Sequence, residues 1–177
     1  MRIITGQYKG RHFDVPRSFK ARPTTDFAKE NIFNVLRGYL DFEDCRALDL
    51  FGGTGSISLE LLSRGCPRVV TVEKDRQHFR FIQDCHKKLN DGNWLVLCGD
   101  VLVFVPRCKE TFNLIFADPP YELPQIAELP DMVFKNEKIL AENGLFVLEH
   151  GKNNDFSAHP HFVEHRQYGS VNFTIFR

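Results

Sequence analysis

The sequence predicts an α/β fold: a mostly parallel sheet with helices on both faces, closed by an antiparallel hairpin. Three observations predict it. From Arg46 onward, short apolar runs alternate with segments of helical period, the pattern of a parallel sheet built by right-handed crossovers. The runs are nearly continuous in apolar residues, as strands covered on both faces are. The first run ends in a glycine loop, Gly52-Gly53-Thr54-Gly55, which marks the carboxyl edge where open α/β sheets bind ligands.

The elements follow in order. Arg2–Thr5 and Arg11–Val15 flank Gly6–Gly10 and read as a hairpin stopped by Pro16. Thr24, Thr25 or Asp26 caps a helix whose inward face is Ala28, Ile32, Val35, Leu36 and Tyr39, ending near Gly38–Asp41. Ala47–Leu50 is the first strand. Ile57, Leu61 and Leu62 mark the next helix, which Gly65 ends in the left-handed conformation. Arg68–Glu73 is the second strand. A helix with Phe79, Ile82, Cys85 and Leu89 inward closes at Asn90-Asp91-Gly92. Trp94–Cys98 and Phe112–Ala117 are the third and fourth strands, leading to Asp100 and to Asp118-Pro119-Pro120-Tyr121. A helical stretch covers Met132–Leu140, Gly144–Glu149 is the fifth strand, and Phe162–Gln167 with Val171–Phe176 form the closing hairpin. The chain divides near 41–45 into an N-terminal extension, 1–44, and an α/β body, 45–177.

The 177 residues are enough to bury a core. No apolar run reaches the roughly 20 residues of a membrane helix, and the start, Met-Arg-Ile-Ile-Thr, has no signal-peptide character. Five scattered cysteines form no Cys-x-x-Cys pair, so a zinc ribbon or redox motif is not expected, and reduced thiols agree with a cytoplasmic protein. The seven histidines have no ligand spacing, and no metal is expected. Net charge is zero, but residues 1–22 hold Arg2, Lys9, Arg11, Arg17, Lys20 and Arg22 against Asp14 alone. Such an arm either steers the protein onto phosphates or guards a hairpin edge.

The chemistry concentrates at the strand ends. Glu73 ends the second strand, 18 residues after Gly55, where a carboxylate can accept both hydroxyls of a ribose. A dinucleotide fingerprint would place a glycine at Ser58. Asp49 inside the first strand would repel a pyrophosphate and suits an amino group. Asp100 can accept from an adenine amine, or cap the helix at Val101. These acids fit a cationic sulfonium nucleoside better than a dinucleotide. In Asp118–Tyr121, two prolines remove backbone donors and leave carbonyl acceptors. Those acceptors and Asp118 can localise the lone pair of an aniline-like amine, and Tyr121 offers a face for a flipped base.

These residues resemble the class I methyltransferases, and further blocks narrow the resemblance to the RsmD family. They are Met1-Arg-Ile-Ile-x-Gly-x-Tyr-Lys-Gly-Arg11, Arg22-Pro-Thr-Thr-Asp26, Glu30-x-Ile-Phe-Asn34, Asp49-Leu-Phe-x-Gly-Thr-Gly-Ser56, Leu62-Ser-Arg-Gly65, Val72-Glu73 and Asp118–Tyr121. The resemblance spans nearly the whole chain. It implies a Rossmann-like, seven-stranded sheet and S-adenosylmethionine-dependent methylation of guanine N2 at position 966 of 16S ribosomal RNA. The implied partner is the assembled small subunit; a monomer is the default expectation, the oligomeric state being open in the sequence. It also implies a cofactor site from Arg22, Thr24, Thr25, Asp49, Phe51, Gly52, Gly53, Thr54, Gly55, Ser56, Glu73, Lys74, Asp100, Val101 and Asp118. Asp118, Pro119, Pro120 and Tyr121 would hold the target amine, and Lys9, Arg11, Arg17, Lys20 and Arg22 the RNA. Gly53 and Lys29 depart from the family's usual alanine and arginine. The alternatives are an adenine-N6 or cytosine-N4 methyltransferase, for which the chain lacks a recognition domain, a nicotinamide-dependent oxidoreductase, and a non-catalytic RNA-binding module.

Overall fold

The computed structural model describes residues 1–19 and 24–177. In chain order the elements are α1 (Asp26–Leu36), β1 (Arg46–Leu50), α2 (Ser56–Ser63), β2 (Arg68–Glu73), α3 (Arg76–Leu89), β3 (Trp94–Cys98) and α4 (Val101–Arg107). Then come β4 (Phe112–Ala117), α5 (Leu129–Lys135), β5 (Leu140–His150), β6 (Phe162–Tyr168) and β7 (Val171–Phe176). The strands form one sheet in the order β3-β2-β1-β4-β5-β7-β6. β1 to β5 pair in parallel, and β7 inserts antiparallel between β5 and β6. This is the Rossmann-like class I arrangement expected. Its switch point lies between β1 and β4, where crossovers leave in opposite directions and open a crevice at the carboxyl ends.

Strand alternation builds two cores. Ala47, Val69, Leu114, Phe116, Leu145 and Val147 face α1, α2 and α3. Leu48, Leu50, Val70, Val72, Ile115, Phe146 and Leu148 face α4 and α5. The N-terminal segment belongs to the first core, through Ile3, Phe13, Ala28, Ile32 and Phe33.

Four expectations are corrected. The N-terminal hairpin forms but is shorter than expected: Arg2 bridges His12, Ile3 N donates to Arg11 O at 3.1 Å and Phe13 N to Met1 O at 2.9 Å. The amides beyond Ile3 are taken elsewhere: Ile4 and Thr5 donate to the Glu60 carboxylate at 2.9 and 3.0 Å, and Gln7 donates to the Ser63 carbonyl at 2.7 Å. The turn docks on α2 instead of extending a ladder. On α1, Thr25 is the cap, accepting from Ala28 N. Its buried face includes Lys29 and Phe33, while Val35 is only half-buried. The helix placed at Met132–Leu140 begins earlier, with Pro130 in its first turn, and stops at Lys135. Leu140 instead opens β5, pairing with Phe112 ahead of a register shift, so β5 starts four residues before the expected Gly144.

Candidate active site at the carboxyl edge of the sheet

The loop after β1 is held by tight turns. Phe51, Gly53 and Gly55 all have positive φ, at 63°, 55° and 75°. Phe51 is the unexpected member, since a bulky side chain adopts this region at a cost. Gly52 has no room for a side chain: a Cβ there would lie 2.4 Å from Thr71 Cγ2. The chain thus turns flush against β2 and enters α2 at Gly55, its N-cap.

Three acids border this loop. Asp49 is buried beneath it and accepts from the Ser58 amide at 3.1 Å and from the Ser58 hydroxyl. That hydroxyl also meets Thr71 Oγ1, which accepts from Trp94 Nε1 at 2.8 Å. A polar chain therefore crosses the core beneath α2, and it is why serine stands where a dinucleotide fingerprint needs glycine. Burial, opposed by the Ser58 hydrogen bonds and aided by Glu73, raises the Asp49 carboxyl to about 7. Glu73 accepts from Gly53 N at 2.7 Å and from Asp75 N at 2.6 Å, which fixes it against the loop. Asp100 caps α4, accepting from Leu102 N at 2.9 Å, and its other oxygen accepts from Lys74 Nζ at 2.7 Å. That ammonium holds the Asp100 carboxyl below the usual range. Both roles weighed for Asp100 are thus geometrically open, because Lys74 is exposed and free to move. Val101 is buried in the second core.

Asp118 follows β4 and its amide donates to Leu50 O, tying the Asp-Pro-Pro-Tyr loop to the β1 loop. Pro119 is buried and Pro120 exposed. Tyr121 lays its ring against the Gly151 backbone, where a Cβ would lie 3.3 Å from Tyr121 Cδ2, and stays 44% exposed. Its hydroxyl donates to Glu149 Oε1 at 3.0 Å, and Thr24 Oγ1 donates to Oε2 at 3.5 Å.

Glu149, which the sequence offered only as the end of the fifth strand, stands at this same edge. The signal was available. β4 and β5 pair in parallel with Ala117 opposite Leu148, so the next residues, Asp118 and Glu149, meet at the same edge. Burial raises the Glu149 carboxyl to about 7, against the lowering effect of its hydrogen bonds, and burial with the charges of Glu149 and Asp49 raises Asp118 well above its ordinary value.

The other expected residues lie as follows. Thr54 and Ser56 are buried at the entry to α2, and Ser56 Oγ accepts from Lys29 Nζ at 3.1 Å. Lys29 is buried, donates to Arg2 O at 2.8 Å, and lies 3.5 Å from Glu60. It supports α2 from below rather than lining the crevice. Lys9 and Arg11 are not brought to this edge. Their turn sits on Ser63 at the end of α2, and Arg11 reaches Lys88 O near the end of α3. Arg17 is exposed. Lys20 and Arg22 lie outside the described residues.

Comparison with known proteins agrees with this geometry. A family model described as conserved hypothetical protein 95 matches residues 1–177. The ribosomal RNA small subunit methyltransferase D of Escherichia coli K12 is 32% identical, over 83% of this chain and 73% of that protein. Its Haemophilus influenzae counterpart is 32% identical over 84% of this chain and 78% of its own. A Thermus thermophilus hypothetical protein of known structure superposes with a TM-score of 0.87 at 30% identity, covering 100% of this chain and 99% of that one. The chain belongs to the conserved hypothetical protein 95 family, the RsmD family that its motifs resemble.

Proposed function

We propose that this protein methylates the exocyclic N2 amine of a guanine in small-subunit ribosomal RNA, with S-adenosylmethionine as methyl donor. The target expected from the resemblance is guanine 966 of the assembled particle, met by a monomer in the cytoplasm. The observation that carries the reading is the meeting of Asp118, Tyr121 and Glu149 beside the β1 loop at the switch point of the sheet. A relative named for ribosomal RNA methylation at 32% identity supports the substrate class.

The donor set fits the cofactor. Asp49, with its carboxyl near neutrality, suits an amino group, Glu73 a ribose diol and Asp100 an adenine amine, and the three would repel a pyrophosphate. S-adenosylmethionine, when bound, supplies a methyl group on a cationic sulfur. The chain's own part is to place and polarise the amine. Asp118 and the proline carbonyls accept its hydrogens, which directs the nitrogen lone pair out of the ring. As the N–C bond forms and the S–C bond breaks, the nitrogen must shed a proton. Asp118, beside the amine and raised above the ordinary carboxylate range by burial and by the neighbouring Glu149 and Asp49 charges, is the group that can receive it.

Lys9, Arg11 and Arg17 supply a second, phosphate-binding contact. Because Lys9 and Arg11 lie away from Asp118, that contact needs a substrate that spans both edges of the sheet, as a folded particle does. The test is transfer of labelled methyl from S-adenosylmethionine to small subunits, free ribosomal RNA and DNA from cells lacking this protein. N2-methylguanosine in the particles is the expected product. Label as N6-methyladenosine or N4-methylcytidine, or in DNA, would overturn the guanine reading and keep amine methylation.

A further inference from the structure

We propose that Glu149 selects the target base, its carboxylate pairing with the N1–H and one N2–H of a guanine stacked on Tyr121. This rests on the reading that guanine N2 is the methylated atom.

Glu149 is 5% exposed, and among the described residues no cation pairs with it. Burying a carboxylate this way is costly unless donors reach it. The described donors, Tyr121 Oη and Thr24 Oγ1, use one lone pair on each oxygen. A carboxylate has about four such positions, so each oxygen keeps one. Two acceptors remain, beside Asp118, which the β4–β5 pairing sets at the same edge, so a donor edge with two hydrogens can pair with Glu149 and leave a third hydrogen to Asp118.

The position of the ring supplies the direction. Gly151 packs against one side of the Tyr121 ring, which is otherwise substantially exposed, so a base can stack on its open side. Tyr121 points its hydroxyl at Glu149, so an edge of the stacked base extends over that same carboxylate. Among bases with an exocyclic amine, adenine presents an acceptor at N1 beside its amine, and cytosine presents one at N3. Guanine alone presents a donor, N1–H, beside N2–H. An all-acceptor carboxylate matches guanine and repels the other two. The remaining N2 hydrogen is left to Asp118.

The test uses small subunits reconstituted with RNA carrying guanosine or 2-aminopurine riboside at the methylated position. The 2-aminopurine base keeps the amine and replaces N1–H with an acceptor. A good bidentate contact discriminates by roughly 10- to 100-fold, so the wild type should methylate guanosine faster by about that factor. In Glu149→Gln, the amide oxygen can accept from N2–H and the amide nitrogen can donate to N1 of 2-aminopurine. The variant should lose about as much on guanosine, and its preference should collapse or invert. If both rates fall with the ratio unchanged, Glu149 is only a support and the proposal fails. Should the variant not fold, the wild type still decides: equal rates on the two bases would overturn it. Wild-type transfer to adenine or cytosine instead would overturn the functional reading beneath it, a separate outcome identified by the modified nucleoside.

Discussion

Replacing Asp49 by asparagine should make the protein's stability markedly less dependent on pH between about 4 and 7. Burial, the largest cause, holds the Asp49 carboxyl at about 7 in the folded chain, against about 3.9 in an unfolded one. Between those values the folded state carries a proton that the unfolded state has lost, so stability falls as pH rises through that window and levels off above 7. From pH 5 to 7 this spans two pH units at about 1.36 kcal/mol each, or about 3 kcal/mol, and little more is lost by pH 8. The asparagine side chain never ionises, and its carbonyl oxygen can still accept from the Ser58 amide and hydroxyl. The assay is urea unfolding of both proteins at pH 5 and pH 8. The wild type should lose about 3 kcal/mol more than Asp49→Asn across that interval. In thermal melts this is about 5–11 °C. Equal losses would refute the reasoning, since Asp49 would then be ionised throughout. The same substitution should weaken S-adenosylmethionine binding, because the amide no longer attracts an amino group.

Asp118→Ala should abolish methyl transfer while calorimetry finds S-adenosylmethionine affinity within about tenfold of wild type, if most of the contact is to the target amine; normal turnover would remove the role given to that loop. Lys29→Met should cost about 3 kcal/mol in urea unfolding, because it leaves the buried Glu60 carboxylate to Arg64 and two backbone amides; an unchanged midpoint would mean that those partners suffice. Gly6→Ala should cost at least about 2 kcal/mol, since φ there is +91° and a Cβ would lie 1.8 Å from Ser63 O; limited proteolysis should then cut within residues 1–19, and wild-type resistance would show the turn can re-seat.

Much of this molecule could be read from the sequence because the signals are local. β2 and β4 fall where apolar runs placed them, since a strand covered on both faces is apolar nearly throughout. The β1 loop, Glu73 and Asp118–Tyr121 could be located because glycine, proline and strand-end acids act through their own backbone. The start of β5 was hidden, because Leu140–Asn143 pairs only through an irregular register with β4 that no local pattern encodes. The N-terminal hairpin is shorter than its sequence pattern for the converse reason. It pairs over Met1–Ile3 and Arg11–Phe13, but Glu60 and Ser63, more than fifty residues away, claim the amides of Ile4, Thr5 and Gln7.

The sequence by itself determined the fold class, the order of elements and the residues flanking the crevice, because periodicity and turn chemistry need only near neighbours. Tertiary structure alone decided which side chains share an environment. It joined Asp49 to Trp94 through Ser58 and Thr71, sent Lys29 under α2, carried Lys9 and Arg11 away from the site, and set Glu149 between Tyr121 and Thr24. Each of those contacts depends on which strands lie side by side, and strand order is a property of the assembled sheet.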